Sequence, residues 1–158
     1  AVRAAVQGRA PKRAARPAGP PLEESSGGLC REVPKWITRR GRVVHVELGG
    51  RGMRDPAAKV IAKVVCAALT APGRLRCAEE ASFHLAGNQL GRAGVSAILD
   101  AATTAGVHVA SLDVERNCLD GPAGKWLAGW CGRQPGGPPR KVFLSHNALG
   151  GPALERLL

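Results

Sequence analysis

One feature constrains this chain more than any other: it repeats itself. Phe83-His84-Leu85-Ala86-Gly87-Asn88-Gln89-Leu90, Leu112-Asp113-Val114-Glu115-Arg116-Asn117-Cys118-Leu119 and Val142-Phe143-Leu144-Ser145-His146-Asn147-Ala148-Leu149 all read apolar-x-apolar-x-x-Asn-x-Leu. A weaker copy, Val46 to Met53, carries Arg51 in the Asn position. Asn88, Asn117 and Asn147 are 29 and 30 residues apart; Arg51 lies 37 before Asn88, which places an insertion around residues 72–80. Self-similarity at such a period is the mark of stacked supersecondary units, each of which needs its neighbours to bury its apolar face.

Each copy alternates apolar and polar residues before the Asn, the period of a strand with one buried face. Beyond the Asn the units also agree. Ala57, Gly94, Ala123 and Ala153 stand six residues on, and Ile61, Ile98, Leu127 and Leu157 ten residues on. That spacing predicts helices over about 56–69, 91–104 and 122–131, and from Pro152 onward, with Pro122 and Pro152 suited to first turns. Alanine accounts for 26 of the 158 residues and tyrosine for none, so the layers are thin and closely packed. The Asn has a defined task. A chain that turns sharply after a strand leaves backbone groups without ladder partners, and an amide can both donate to and accept from them. Asn88, Asn117 and Asn147 are therefore expected to form a ladder. Arg51 cannot do both, so the first turn should be irregular.

This pattern resembles the leucine-rich repeat, in its long ribonuclease-inhibitor-like form, over about residues 43–158. The resemblance implies an α/β solenoid, or horseshoe, with short parallel strands on a concave face and helices on the convex one. The units would span about 43–80, 81–109, 110–139 and 140–158, the last incomplete. Residues 29–42 are expected to be a short capping helix, with Leu29, Val33, Trp36 and Ile37 on one face, Pro34 in its first turn and Gly41 ending it.

Residues 1–28 are Arg-, Pro-, Gly- and Ser-rich and hold one Leu. They cannot bury enough apolar surface to offset the entropy of ordering, so they read as a disordered arm. An Arg- and Ala-rich start also fits a transit peptide, and the two readings stay open. The chain opens Ala1-Val2-Arg3 and stops at Leu158, which reads as a piece of something longer. The net charge is +11, and residues 1–42 hold ten Lys/Arg against three Glu. A basic arm raises sequence-blind affinity for nucleic acid or acidic surfaces, here through Arg3, Arg9, Lys12, Arg13, Arg16, Arg39, Arg40 and Arg42. A solubilising linker is the plainer reading.

No stretch approaches the roughly 20 apolar residues of a membrane span. The five Cys are scattered without a C-x-x-C pair, which disfavours a disulfide framework and a zinc ribbon. Buried small-apolar packing is the default for Cys66, Cys118 and Cys131, and free thiols favour a reducing compartment, read as the cytoplasm with organelle and nucleus left open. The nucleophile-elbow, P-loop and zincin motifs are absent. The run Gly87–Gly94 has the wrong spacing for a dinucleotide loop. No enzyme, cofactor or metal is therefore expected. Trp126 and Trp130, four apart, read as packing. The Gly- and Pro-rich loop 132–140 reads as a flexible linker.

The outward strand positions are the binding candidates: His45, Glu47, Ser82, His84, Ser111, Asp113, Glu115, Lys141, Phe143 and Ser145. Equal register puts Glu47, His84 and Asp113 side by side. Two carboxylates flanking a His could raise its pKa or hold a metal weakly; a solvated ion pair is the ordinary state of such a face. The expected function is protein–protein interaction through this face, with another protein as partner; the alternative is nucleic-acid association through the arm.

Overall fold

A computed structural model of the chain describes residues 35–70, 79–134 and 136–150. In chain order the elements are β1 (Ile37–Arg40), β2 (Val43–Glu47), α1 (Asp55–Thr70), β3 (Glu80–His84), α2 (Arg92–Thr104), β4 (His108–Asp113), α3 (Gly121–Cys131) and β5 (Lys141–Phe143). The strands form one sheet in the order β1-β2-β3-β4-β5. β1 is antiparallel to β2, and the remaining pairs are parallel. A helix separates each parallel strand from the next, as parallel pairing requires. The arm 1–28, residues 72–78 of the expected insertion and the segment after Gly150, with its expected helix, lie outside the described residues. Among the described residues no helix is long and apolar enough to cross a membrane.

The alternation does the folding. Val44, Val46 and Leu48 from the first unit, Phe83 and Leu85 from the second, and Leu112 and Val114 from the third are fully buried. They pack against Ala58, Ile61 and Val65 of α1, Val95, Ile98 and Leu99 of α2, and Leu127 of α3. The buried positions of α1 (Ala58, Ile61, Ala62, Val65, Leu69) recur every three or four residues, one stripe of an amphipathic helix. Fully burying a side chain such as Phe83 is worth about 1.5–3 kcal/mol. Trp130 is also buried and Trp126 half-buried against the same core.

The expected capping helix is corrected. Only Lys35 and Trp36 are helical among its described residues; Ile37–Arg40 is a strand paired with β2 from Ile37–Val46 to Arg40–Val43. Gly41, at φ +63°, does not end a helix but opens the two-residue hairpin loop Gly41-Arg42. A helix would have covered the apolar edge yet left the outer backbone groups of β2 unpaired; an antiparallel strand satisfies them. Trp36 and Ile37 are buried in either case.

The loop 132–140 is no loose linker. Val109 N donates to the buried Gln134 Oε1 (3.3 Å), and His108 Nε2 donates to the Gly137 carbonyl (2.9 Å). Arg140 N reaches the Ala110 carbonyl, and its guanidinium forks onto both carboxylate oxygens of Glu80. Ala110 itself is the extra residue of a bulge, since Ala81 pairs with Val109 and Ser82 with Ser111.

Each turn after β3, β4 and β5 is tied to the turn before it through an asparagine. Asn117 Nδ2 donates to the carbonyls of Val114 and Glu115 in its own turn and of Leu85 one unit back, while Oδ1 accepts from Leu90 N at 3.0 Å. Asn147 repeats this with Leu144 and Val114, and with Leu119 N. Asn88 does the same with Leu85 and Leu48, and accepts from the N–H groups of Arg51 and Met53. These amides hold the strand ends in register where the open face begins.

Candidate functional site

The helices cover one face of the sheet. The other face carries the polar strand positions in rows set by the parallel register. His45, Ser82, Ser111 and Lys141 form one row; Glu47, His84, Asp113 and Phe143 form the next. Glu115 and Ser145 extend the face beyond the strands, where Ser145 Oγ donates to Glu115 Oε1 (2.6 Å). The backbone pairing continues there too, through Gly87 N to the Glu115 carbonyl and Arg116 N to the Ser145 carbonyl.

The Glu47–His84–Asp113 row is thus a row of immediate neighbours. His84 Nε2 lies 3.8 Å from Glu47 Oε1, with both side chains at least a third exposed. That is too long for a hydrogen bond and close enough for electrostatic contact. Ser82, expected on the accessible face, is only 7% exposed; its Oγ meets His84 Nε2 at 3.2 Å. The periodicity pairs His84 with the two carboxylates, but the structure adds a further partner. The His45 ring stacks on the His84 ring, with centroids 6.3 Å apart and planes 12° from parallel. The donor atoms of His45, Glu47 and His84 all lie within 4.8 Å of one another. The signal was in the register: His45 pairs with Ser82, which puts it diagonal to His84 on one face.

Asp113 differs from the other acids. Burial pushes its carboxyl above the ordinary range, and the Glu115 and Glu47 carboxylates add to that. The N–H of Glu115, donating to Oδ1 at 3.2 Å, and His84 pull the other way. At the far end of the row Phe143 is 40% exposed, the sole exposed large hydrophobic side chain among the described residues. The face is therefore acidic at its centre, with an aromatic at one end and Lys141 beside it. The hairpin of β1 and β2 is basic by contrast: Arg39, Arg40 and Arg42 are exposed, and Arg42 reaches Glu79 at 3.2 Å.

The cysteines stand apart from this face. Cys131 is buried, and desolvation raises its thiol to about 11. Cys118, expected to be buried, is exposed because it occupies a turn position whose backbone N–H, not its side chain, is tied to Leu90. Cys66 is half-buried, and all three are free thiols. Comparison with protein-family models, curated proteins and solved structures finds no match for this chain.

Proposed function

We propose that the chain is a leucine-rich-repeat module of the ribonuclease-inhibitor-like form, binding another protein through the helix-free, concave face of its sheet. The observation that carries this reading is the row Glu47–His84–Asp113–Phe143, one residue from each of four consecutive parallel strands. Such a row is a broad surface rather than a cleft. It joins an exposed aromatic, the residue type that anchors interfaces, to carboxylates that set charge preference. The complementary partner presents Lys or Arg opposite Glu47, Asp113 and Glu115, with apolar contact at Phe143. The same acidic row disfavours phosphate. The basic groups suited to nucleic acid lie instead on the arm and in the hairpin arginines Arg39, Arg40 and Arg42.

The test places a photo-crosslinking residue at Lys141 on this face or at Lys63 on the exposed side of α1, with chelator present throughout. Crosslinks to a defined partner are expected from position 141 and not from 63. The substitution E47A/H84A/D113A should weaken that partner's affinity by about tenfold or more. Equal crosslinking from both positions, or unchanged affinity in the triple variant, overturns the proposal.

A further inference from the structure

We infer that His45, Glu47 and His84 form a binding site for a divalent transition-metal ion of the zinc class. This goes beyond the interaction reading and does not depend on it, since a metal binds the isolated chain. His45 and Glu47 are two apart on β2 and so share a face, while Glu47 and His84 are register partners on adjacent strands. One nitrogen from each imidazole and one carboxylate oxygen already lie within 4.8 Å of one another, and His84 Nε2 is 3.8 Å from Glu47 Oε1. Zinc bound at about 2.0–2.2 Å to each ligand needs donors roughly 3.3–3.6 Å apart. Side-chain ends that are exposed or half-buried can move that far by small rotamer changes, leaving the core undisturbed.

The backbone beneath is held where precision matters. Leu48 N donates to the His84 carbonyl at 2.9 Å, and the Asn88 amide bridges the carbonyls of Leu48 and Leu85 just beyond the ligands. The site thus sits on fixed strands rather than a loop.

The donor chemistry selects the ion. Two imidazoles and one carboxylate suit Zn²⁺, Co²⁺, Ni²⁺ and Cu²⁺, whereas Mg²⁺ and Ca²⁺ take oxygen donors. A simple ion pair accounts for Glu47 beside His84 but gives no role to the second imidazole stacked on the first. Asp113, next along the row, adds negative charge that attracts a cation without being among the three clustered residues. Three protein ligands leave a coordination position facing solvent, open to water or to a donor from another molecule.

The test titrates the whole chain with Zn²⁺ by calorimetry and with Co²⁺ by absorption. The expected result is one nitrogen/oxygen-liganded ion per chain, its Co²⁺ spectrum free of thiolate charge transfer. His45→Ala, Glu47→Gln and His84→Ala should each weaken Zn²⁺ binding by about tenfold to a hundredfold. His108→Ala and Cys118→Ser should leave it unchanged, and circular dichroism of all the metal-free variants should match the parent. Affinity unchanged in all three ligand variants overturns the site, as does binding abolished by alkylating the cysteines. Mg²⁺ binding as tightly as Zn²⁺ overturns the assignment of ion class.

Discussion

The turn after β2 and the turns after β3 and β4 do the same job with different residues. After β3 and β4, Asn88 and Asn117 sit buried in the bend, and each satisfies backbone groups in two units at once. After β2 the equivalent residue is Arg51, and only its main-chain N–H joins the network, donating to Asn88 Oδ1 at 3.2 Å. The first turn borrows its neighbour's amide. It also takes two left-handed glycines, Gly50 at φ +67° and Gly52 at φ +63°, where the turns after β3 and β4 take one left-handed residue each, Gly87 and Arg116. A junction between adjacent turns takes one amide, so the four turns after β2 to β5 take three. The first turn has the β1 hairpin behind it rather than another turn of its kind, so an Asn there would have no such junction to serve.

The largest effect is expected at the asparagine of the turn after β4. Asn117→Ala leaves Leu90 N without its partner and takes one of two donors from each of the carbonyls of Leu85, Val114 and Glu115, which keep Asn88 Nδ2, Asn147 Nδ2 and Gly87 N. The one buried donor left unsatisfied costs about 1–3 kcal/mol, and the lost second bonds to the carbonyls add to it, so a loss of about 2–3 kcal/mol is expected. Arg51→Ala removes a side chain outside that network and should stay within about 0.5 kcal/mol. Urea unfolding of the two variants checks this; comparable losses would mean that the amides do not hold the turns together.

Much of this architecture was legible in the sequence because it is written in a period. The alternation at Val46/Leu48, Phe83/Leu85 and Leu112/Val114 foretold the buried strand face, and the asparagine spacing foretold the turns. What a period cannot carry stayed hidden. Residues 37–40 share an amphipathic pattern with a short helix; only the unpaired edge of β2, a feature of the assembled sheet, makes them a strand. The anchoring of loop 132–140 depends on Gln134, His108 and Glu80, far apart in the chain. On the open face, the register brought Glu47, His84 and Asp113 together on paper. The His45–His84 stack is a diagonal contact, which a row-by-row reading passes over.

Six residues after the Asn slot stand Ala57, Gly94 and Ala123, in α1, α2 and α3. Glycine is the exception for a local reason. A Cβ on Gly94 would sit 2.4 Å from Asp55 Oδ1, 3.0 Å from Leu90 Cδ2 and 3.2 Å from Ala58 Cβ. The same Asp55 oxygen accepts from Gly91 N at 2.8 Å, one of the orphan donors at the start of α2. At α3 that service comes from its own cap, Asp120, whose carboxylate accepts from Ala123 N. Gly94→Ala should therefore cost about 1–3 kcal/mol through overpacking, even though alanine is the better helix former. With Asp55→Ala already in place, the same substitution should cost clearly less. A double-mutant cycle showing no coupling would mean that Asp55 does not set the glycine.

The residue just before the Asn slot is left-handed in every turn: Gly50 at φ +67°, Gly87 at φ +69°, Arg116 at φ +52° and His146 at φ +59°. Two units meet that demand with glycine and two carry the strain of a side chain there, which costs about 1–2 kcal/mol in this region. Replacing Arg116 or His146 by Gly relieves the strain but gives back unfolded-chain entropy, so each change should stabilise the fold by about 0.5 kcal/mol. Both side chains are exposed, which keeps lost packing out of the result. The reverse change has equally clean ground. A Cβ at Gly50 meets no atom within 4 Å, so whatever Gly50→Ala loses is conformational strain and not a clash. Opposite signs for Arg116→Gly and Gly50→Ala in matched urea titrations would establish one backbone rule for turns that differ in their side chains. Matching signs would mean that the first turn obeys a separate one.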